Sequence, residues 1–128
     1  MTTPLWCLFL VAVLPYVLST LTGIYRVRQF GTLDNKHPRA QQAALTGVGA
    51  RAFASQQNAW EALGFFTAAV VVSHLAGANP DRAGLLSMVF AATRVVHPIV
   101  YLANLDVLRS LTFLVGLGAG IGLFLISC

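Results

Sequence analysis

The sequence predicts an all-α integral membrane protein, a single domain in which four spanning helices run up-down-up-down, and three observations predict it. Of its 128 residues, 57% are hydrophobic and 9% are charged, against roughly 25% charged in an average soluble domain. The charges are clustered, so that long uncharged runs alternate with polar connections. Those connections are unequal, with cations gathered in the first and third and nearly missing from the second. So few charges cannot coat a soluble globule, and so apolar a chain is not disordered. The formal charge of +4 supplies no basic stripe for phosphates, so no nucleic acid is expected as a partner.

The first helix covers about residues 4–27. Met1 to Tyr25 carries no charged side chain, which is enough to cross a hydrocarbon core about 30 Å thick with about 20 helical residues. No Lys or Arg precedes this run, and it ends in Tyr25-Arg26-Val27-Arg28. A cleaved signal peptide shows the opposite pattern, so the segment is expected in the mature protein. Arg26 to Arg51 then holds five of the eight cations, with His37-Pro38 and glycines at 31, 47 and 49, and reads as a polar loop.

The second helix, about 51–76, owns the uncharged run from Ala62 and starts roughly ten residues earlier, because Gln56, Gln57, Asn58 and Glu61 are helix-compatible. Gly77-Ala78-Asn79-Pro80-Asp81 ends it in a tight turn. The third, about 82–103, is interrupted by one charge, Arg94. The fourth, about 108–127, is uncharged from Ser110 and carries Gly116, Gly118, Gly120 and Gly122, two small-xxx-small pairs that let helices approach closely. Arg26, Arg28, Lys36, Arg39, Arg51 and Arg109 lie in or beside the first and third loops, and Arg82 lies in the second. The positive-inside rule therefore predicts cytoplasmic loops one and three, with both termini on the other side. Cys7 and Cys128 stand apart in apolar stretches, with no disulfide framework and no metal-ligand spacing.

Ionisable groups inside a spanning helix mark a pair or a site. Glu61 and Arg94 differ in depth by about 5 Å when counted from the second loop, so one reading is an ion pair between helices two and three. The other is a ligand site, because each residue has polar company. Arg51, Asn58 and Glu61 share one helix face, and Arg94, His97 and Tyr101 share another. Pro98 frees a carbonyl near Arg94 and predicts a local kink. Arg26, Asn58, Glu61, His97, Tyr101, Arg109 and Ser110 all fall toward the cytoplasmic helix ends, whereas His74 belongs to the opposite interface. Guanidinium groups, an amide, a carboxylate and hydroxyls suit a small polar anion bearing both amine and carboxylates, with an apolar co-substrate arriving from the lipid.

The ordered set Arg94-x2-His97-x3-Tyr101-x7-Arg109-Ser110, preceded by Asn58-x2-Glu61 and Thr22-Gly23-x2-Arg26-x-Arg28, resembles the MAPEG family, the membrane-associated proteins in eicosanoid and glutathione metabolism. The likeness covers all four helices and is closest to the microsomal glutathione transferase and microsomal prostaglandin E synthase branches, in a short bacterial-type form. It implies a homotrimer with glutathione bound as co-substrate between subunits, and a lipophilic small-molecule substrate. By position it implies a site of Arg26, Asn58, Glu61, Arg94, His97, Tyr101, Arg109 and Ser110. Arg109 and Ser110 would be the catalytic pair that stabilises the thiolate. A thiol is mostly protonated at neutral pH, and a nearby guanidinium favours the ionised nucleophile.

The resemblance implies a second arginine at position 54, where Ala54 stands; the prostaglandin synthase pattern also has a basic residue at 57 and a tyrosine at 113, where Gln57 and Phe113 stand. Two functions are therefore expected to compete: a glutathione-dependent transferase or peroxidase, and a non-catalytic scaffold that binds a lipid or small anion. A channel or transporter is disfavoured, since no inverted repeat or broken-helix pair is visible.

Overall fold

The computed structural model describes residues 1–128, which form helices and short connections with no strand. Helix α1 spans Thr3–Phe30, α2 Pro38–Ala43, α3 Gly47–Leu75, α4 Pro80–Leu102 and α5 Asp106–Leu125. Three of them, α1, α4 and α5, are long and apolar enough to cross a membrane. Helix α3, read from the sequence as the second span, has 29 residues but is not among the three. Its first half carries Arg51, Gln56, Gln57, Asn58 and Glu61, and uninterrupted apolar sequence begins only at Ala62. The polar loop also departs from expectation by containing the six-residue α2. Pro38 opens that helix, and its fixed φ suits a helix start.

Contacts between named residues set the helix directions. Thr3 at the start of α1 lies against Gly84 near the start of α4, so these two run parallel. Arg51 near the start of α3 donates from Nε to the Leu102 carbonyl at the end of α4, at 3.3 Å. Leu86, early in α4, packs at Gly122, late in α5. The long helices therefore alternate in direction. Loop one and the α4–α5 connection share one end with six of the cations, while Arg82 stands at the other.

Local chemistry stops and starts the helices. The Gly31 N–H donates to the Val27 carbonyl at 2.8 Å, with φ at 81°, a left-handed value that glycine adopts without a Cβ clash. Asn79 Oδ1 accepts from the N–H groups of Asp81 and Arg82, each at 3.1 Å, and so caps α4. Helix α4 continues through Pro98 to Leu102. Asn104 turns the chain into α5 with φ at 59°, a conformation asparagine tolerates. That tight turn places Arg109 and Ser110 beside the end of α4.

Phe66 stacks on Phe90 in the core, with ring centroids 4.1 Å apart and planes at 6°, among buried Val11, Val70 and Leu123. The glycine-rich α5 does not present two equivalent pairs. Gly116 faces Thr93 and Arg94 and Gly120 faces the Phe65 ring, whereas a Cβ on Gly118 would meet open space. Outward-facing Phe9, Val13, Val17, Leu111, Leu114 and Val115 are exposed, an apolar exterior suited to lipid.

Candidate functional site

Arg94 is the buried centre of the polar cluster, only 5% exposed. Its Nη1 donates to Asn58 Oδ1 at 3.3 Å, its Nη2 to the Thr112 carbonyl at 3.0 Å, and its Nε to Thr93 Oγ1 at 3.4 Å. Its carbon Cζ also lies 5.4 Å from the centre of the Phe90 ring. None of these partners carries a charge. The ion pair with Glu61 that the sequence suggested is not formed; Asn58, one turn earlier on α3, accepts instead, and Glu61 is exposed. Gly116 makes the arrangement possible, because a Cβ there would stand 2.7 Å from Arg94 Nη2.

Two grooves meet at this cluster. The polar one, of ≈ 450 Å³, is lined by Asn58, His97, Tyr101, Arg109, Ser110, Phe113 and Leu114. The apolar one, of ≈ 250 Å³, is lined by Asn58, Glu61, Ala62, Phe65, Phe90, Arg94, Phe113 and Leu117. They share Asn58 and Phe113. Within the polar groove the Arg109 guanidinium lies over the Tyr101 ring, 4.7 Å from its centre. This contact holds the cation at the start of α5. The buried His97 meets the same ring edge-on at 5.6 Å.

Seven of the eight residues picked out in the sequence thus line one or other groove, and Arg26 does not. Arg26 donates from Nε to Gln41 Oε1 at 2.6 Å and from Nη2 to the Asp34 carbonyl at 3.1 Å. Gln41 also accepts from the Asp34 N–H and donates to the Thr32 carbonyl, so the buried Arg26 ties α2 and loop one to the end of α1. Asp34 accepts from the Lys36 and His37 N–H groups at 2.9 Å each. The His37 bond foremost holds its carboxyl below the usual aspartate range, against a weaker opposing effect of burial. Arg51 is likewise engaged, on the last turn of α4.

The apolar wall of Phe65, Phe90 and Leu117 carried no signal in the sequence that separates it from ordinary core. The Thr112 carbonyl could not be read from side-chain letters at all. Gly116 did leave a trace, as a member of a glycine series.

The family model described as MAPEG family matches residues 3–128. The chain belongs to the MAPEG family. No individual curated protein matches it. MAPEG membership, with three helices able to cross a bilayer, makes this a membrane protein of a family concerned with glutathione and eicosanoid metabolism. The match covers the elements that build both grooves, so the grooves belong to the MAPEG domain itself.

Proposed function

We propose that the protein is a glutathione-dependent membrane transferase or peroxidase that acts on lipophilic electrophiles or hydroperoxides. The observation that carries this reading is Arg94. A buried guanidinium whose acceptors are all neutral is costly unless an anion offsets it, and Asn58, its partner, opens into the groove that holds Arg109. The residues present fit glutathione in chemical kind. Arg109, Asn58, Tyr101 and Ser110 offer donors for carboxylate or thiolate, and Glu61 is a carboxylate for an amine. The bound tripeptide would supply the nucleophilic thiol. The adjoining apolar groove, walled by phenylalanines, suits a lipophilic partner.

In this reading α3 spans with the other three as a four-helix bundle, and three chains assemble as a homotrimer in a bacterial inner membrane. The cation-rich end is cytoplasmic. Arg109 and Ser110 stabilise the thiolate, and Arg26 organises loop one beside the site. The test is titration calorimetry of detergent-purified protein with glutathione, followed by conjugation of a model electrophile. Saturable binding with turnover is expected, and absence of binding overturns the proposal. Binding without turnover favours the scaffold reading, for which the observation is Phe113: it is exposed, lines both grooves and offers no hydroxyl.

A further inference from the structure

A much smaller space adjoins the grooves and shares Asn58, Arg94 and His97 with them. It lies where α1, α3 and α4 meet, with Val11 and Leu14 on its apolar side and Ser55 on its polar side. The volume open to a water is ≈ 10 Å³, which suits one water and excludes any organic ligand. Ser55 is 1% exposed, and its Oγ has no hydrogen-bond partner within the chain. Several helical hydroxyls of this protein are satisfied locally, whereas the buried Ser55 and Ser87 Oγ atoms are not, and of these two only Ser55 lines this space. Thr22 Oγ1 donates to the Leu18 carbonyl at 2.8 Å and Thr67 Oγ1 to the Leu63 carbonyl at 2.7 Å, each four residues back. Ser55 makes no such bond to Arg51. Buried hydroxyls are rarely left unpaired, and a space with several polar groups is where a buried water is held.

We propose that this space is a binding site for one ordered water, held by Ser55 Oγ together with the side chains of Asn58 and His97. Ser55 is then a positioning residue. It touches neither groove, yet through the water it fixes the orientation of His97 and Asn58, which do. A ring nitrogen of histidine that faces a fixed partner settles into one tautomer, so the water sets which nitrogen His97 offers to the groove. This inference does not rest on the glutathione reading, because the site is complete without any groove ligand.

The experiment uses the full chain in lipid nanodiscs with no added ligand. A structure resolving buried waters is expected to show density within hydrogen-bond distance of Ser55 Oγ and of Asn58 or His97. The ¹⁵N spectrum of His97 is expected to report one tautomer in wild type. In Ser55→Ala, which removes the hydroxyl, and in Ser55→Val, which also fills the space, it is expected to shift toward a tautomer mixture. A dry space, Ser55 Oγ bonded to the Arg51 carbonyl, or identical His97 spectra in all three proteins overturns the proposal.

Discussion

Arg94 on α4 donates to the main-chain carbonyl of Thr112 on α5 at 3.0 Å, and it reaches that carbonyl across the bare backbone of Gly116. The guanidinium is thereby a strut between α3, α4 and α5 as well as the charge beneath the grooves. One residue joins packing to chemistry, so its supports are the places where stability and function should fail together.

Gly116→Ala should destabilise the protein by about 1–3 kcal/mol, the range for overpacking a filled interior. Its new methyl would stand 2.6 Å from Thr93 Oγ1 and 2.7 Å from Arg94 Nη2, neither of which can leave without losing a buried bond. Gly118→Ala is the control, with nothing within 4 Å of the added atom. It should be neutral or stabilising by up to about 1 kcal/mol through helix propensity. Thermal unfolding in detergent separates the two, and equal melting shifts would contradict the strut.

Asn58 and Arg94 should show energetic coupling, and Glu61 and Arg94 should show less. Removing the Asn58 acceptor leaves a buried donor unsatisfied, at about 1–3 kcal/mol. A double-mutant cycle with Asn58→Leu and Arg94→Met should give a coupling energy of about 0.5–3 kcal/mol. The same cycle with Glu61→Gln should give a weaker coupling, since Glu61 is exposed and does not touch the guanidinium. Stronger coupling of Arg94 to Glu61 than to Asn58 would restore the ion pair.

These contrasts mark how far the residue letters reach. Helices α1, α4 and α5 were legible because lipid demands long apolar runs, and those runs stand in the sequence, broken within the α4 run by Arg94 alone. Helix α3 was legible as a helix, but its composition falls short of a span because its first half is polar, and of that half Asn58 and Glu61 line the grooves. Counting residues from a loop places a Cα at a depth; it does not place the end of a long arginine side chain, and so the count points to Glu61 where Asn58 accepts. Arg26 shows the same limit from another side. Its charge and position suit a ligand site, yet Gln41 and the Asp34 carbonyl, brought close by a helix hidden in the loop, engage it.

Cysteines introduced for Lys36 and Ala76, with Cys7 and Cys128 changed to serine, should label from opposite faces of an inverted or sealed vesicle. Both positions are exposed. Asn79 is avoided because its side chain caps α4. Labelling of both from one face would refute a membrane-crossing α3.

Asp34 should titrate below the ordinary aspartate range. Its native carboxylate accepts the His37 and Lys36 N–H groups, and those bonds favour the ionised form. The folded-state value is depressed, so any stabilisation of loop one is present above the unfolded value and is lost as pH falls through the folded one. The amide shifts of Lys36 and His37, followed by NMR in acid, should move together at that low midpoint. A midpoint at or above the free aspartate value would show that the turn does not hold the charge.

Arg109→Lys distinguishes a thiolate clamp from a membrane anchor. Both readings need a cation at the start of α5, where the helix dipole favours a bound anion by about 0.3–1 kcal/mol. Only the clamp needs the planar donor fork. In the structure the guanidinium lies over the Tyr101 ring at 4.7 Å, beside the exposed Ser110. A flat group resting on a ring is aimed as a lysine ammonium is not. A hydrogen bond to a charged group contributes about 1.5–3 kcal/mol, so loss of the fork should lower turnover about 10- to 100-fold. The measurement is conjugation of a model electrophile by wild type and Arg109→Lys at matched assembly, with the thiolate followed by ultraviolet absorbance. A clamp loses both absorbance and turnover in the variant. If both are retained in full, Arg109 serves as an anchor and the catalytic assignment falls.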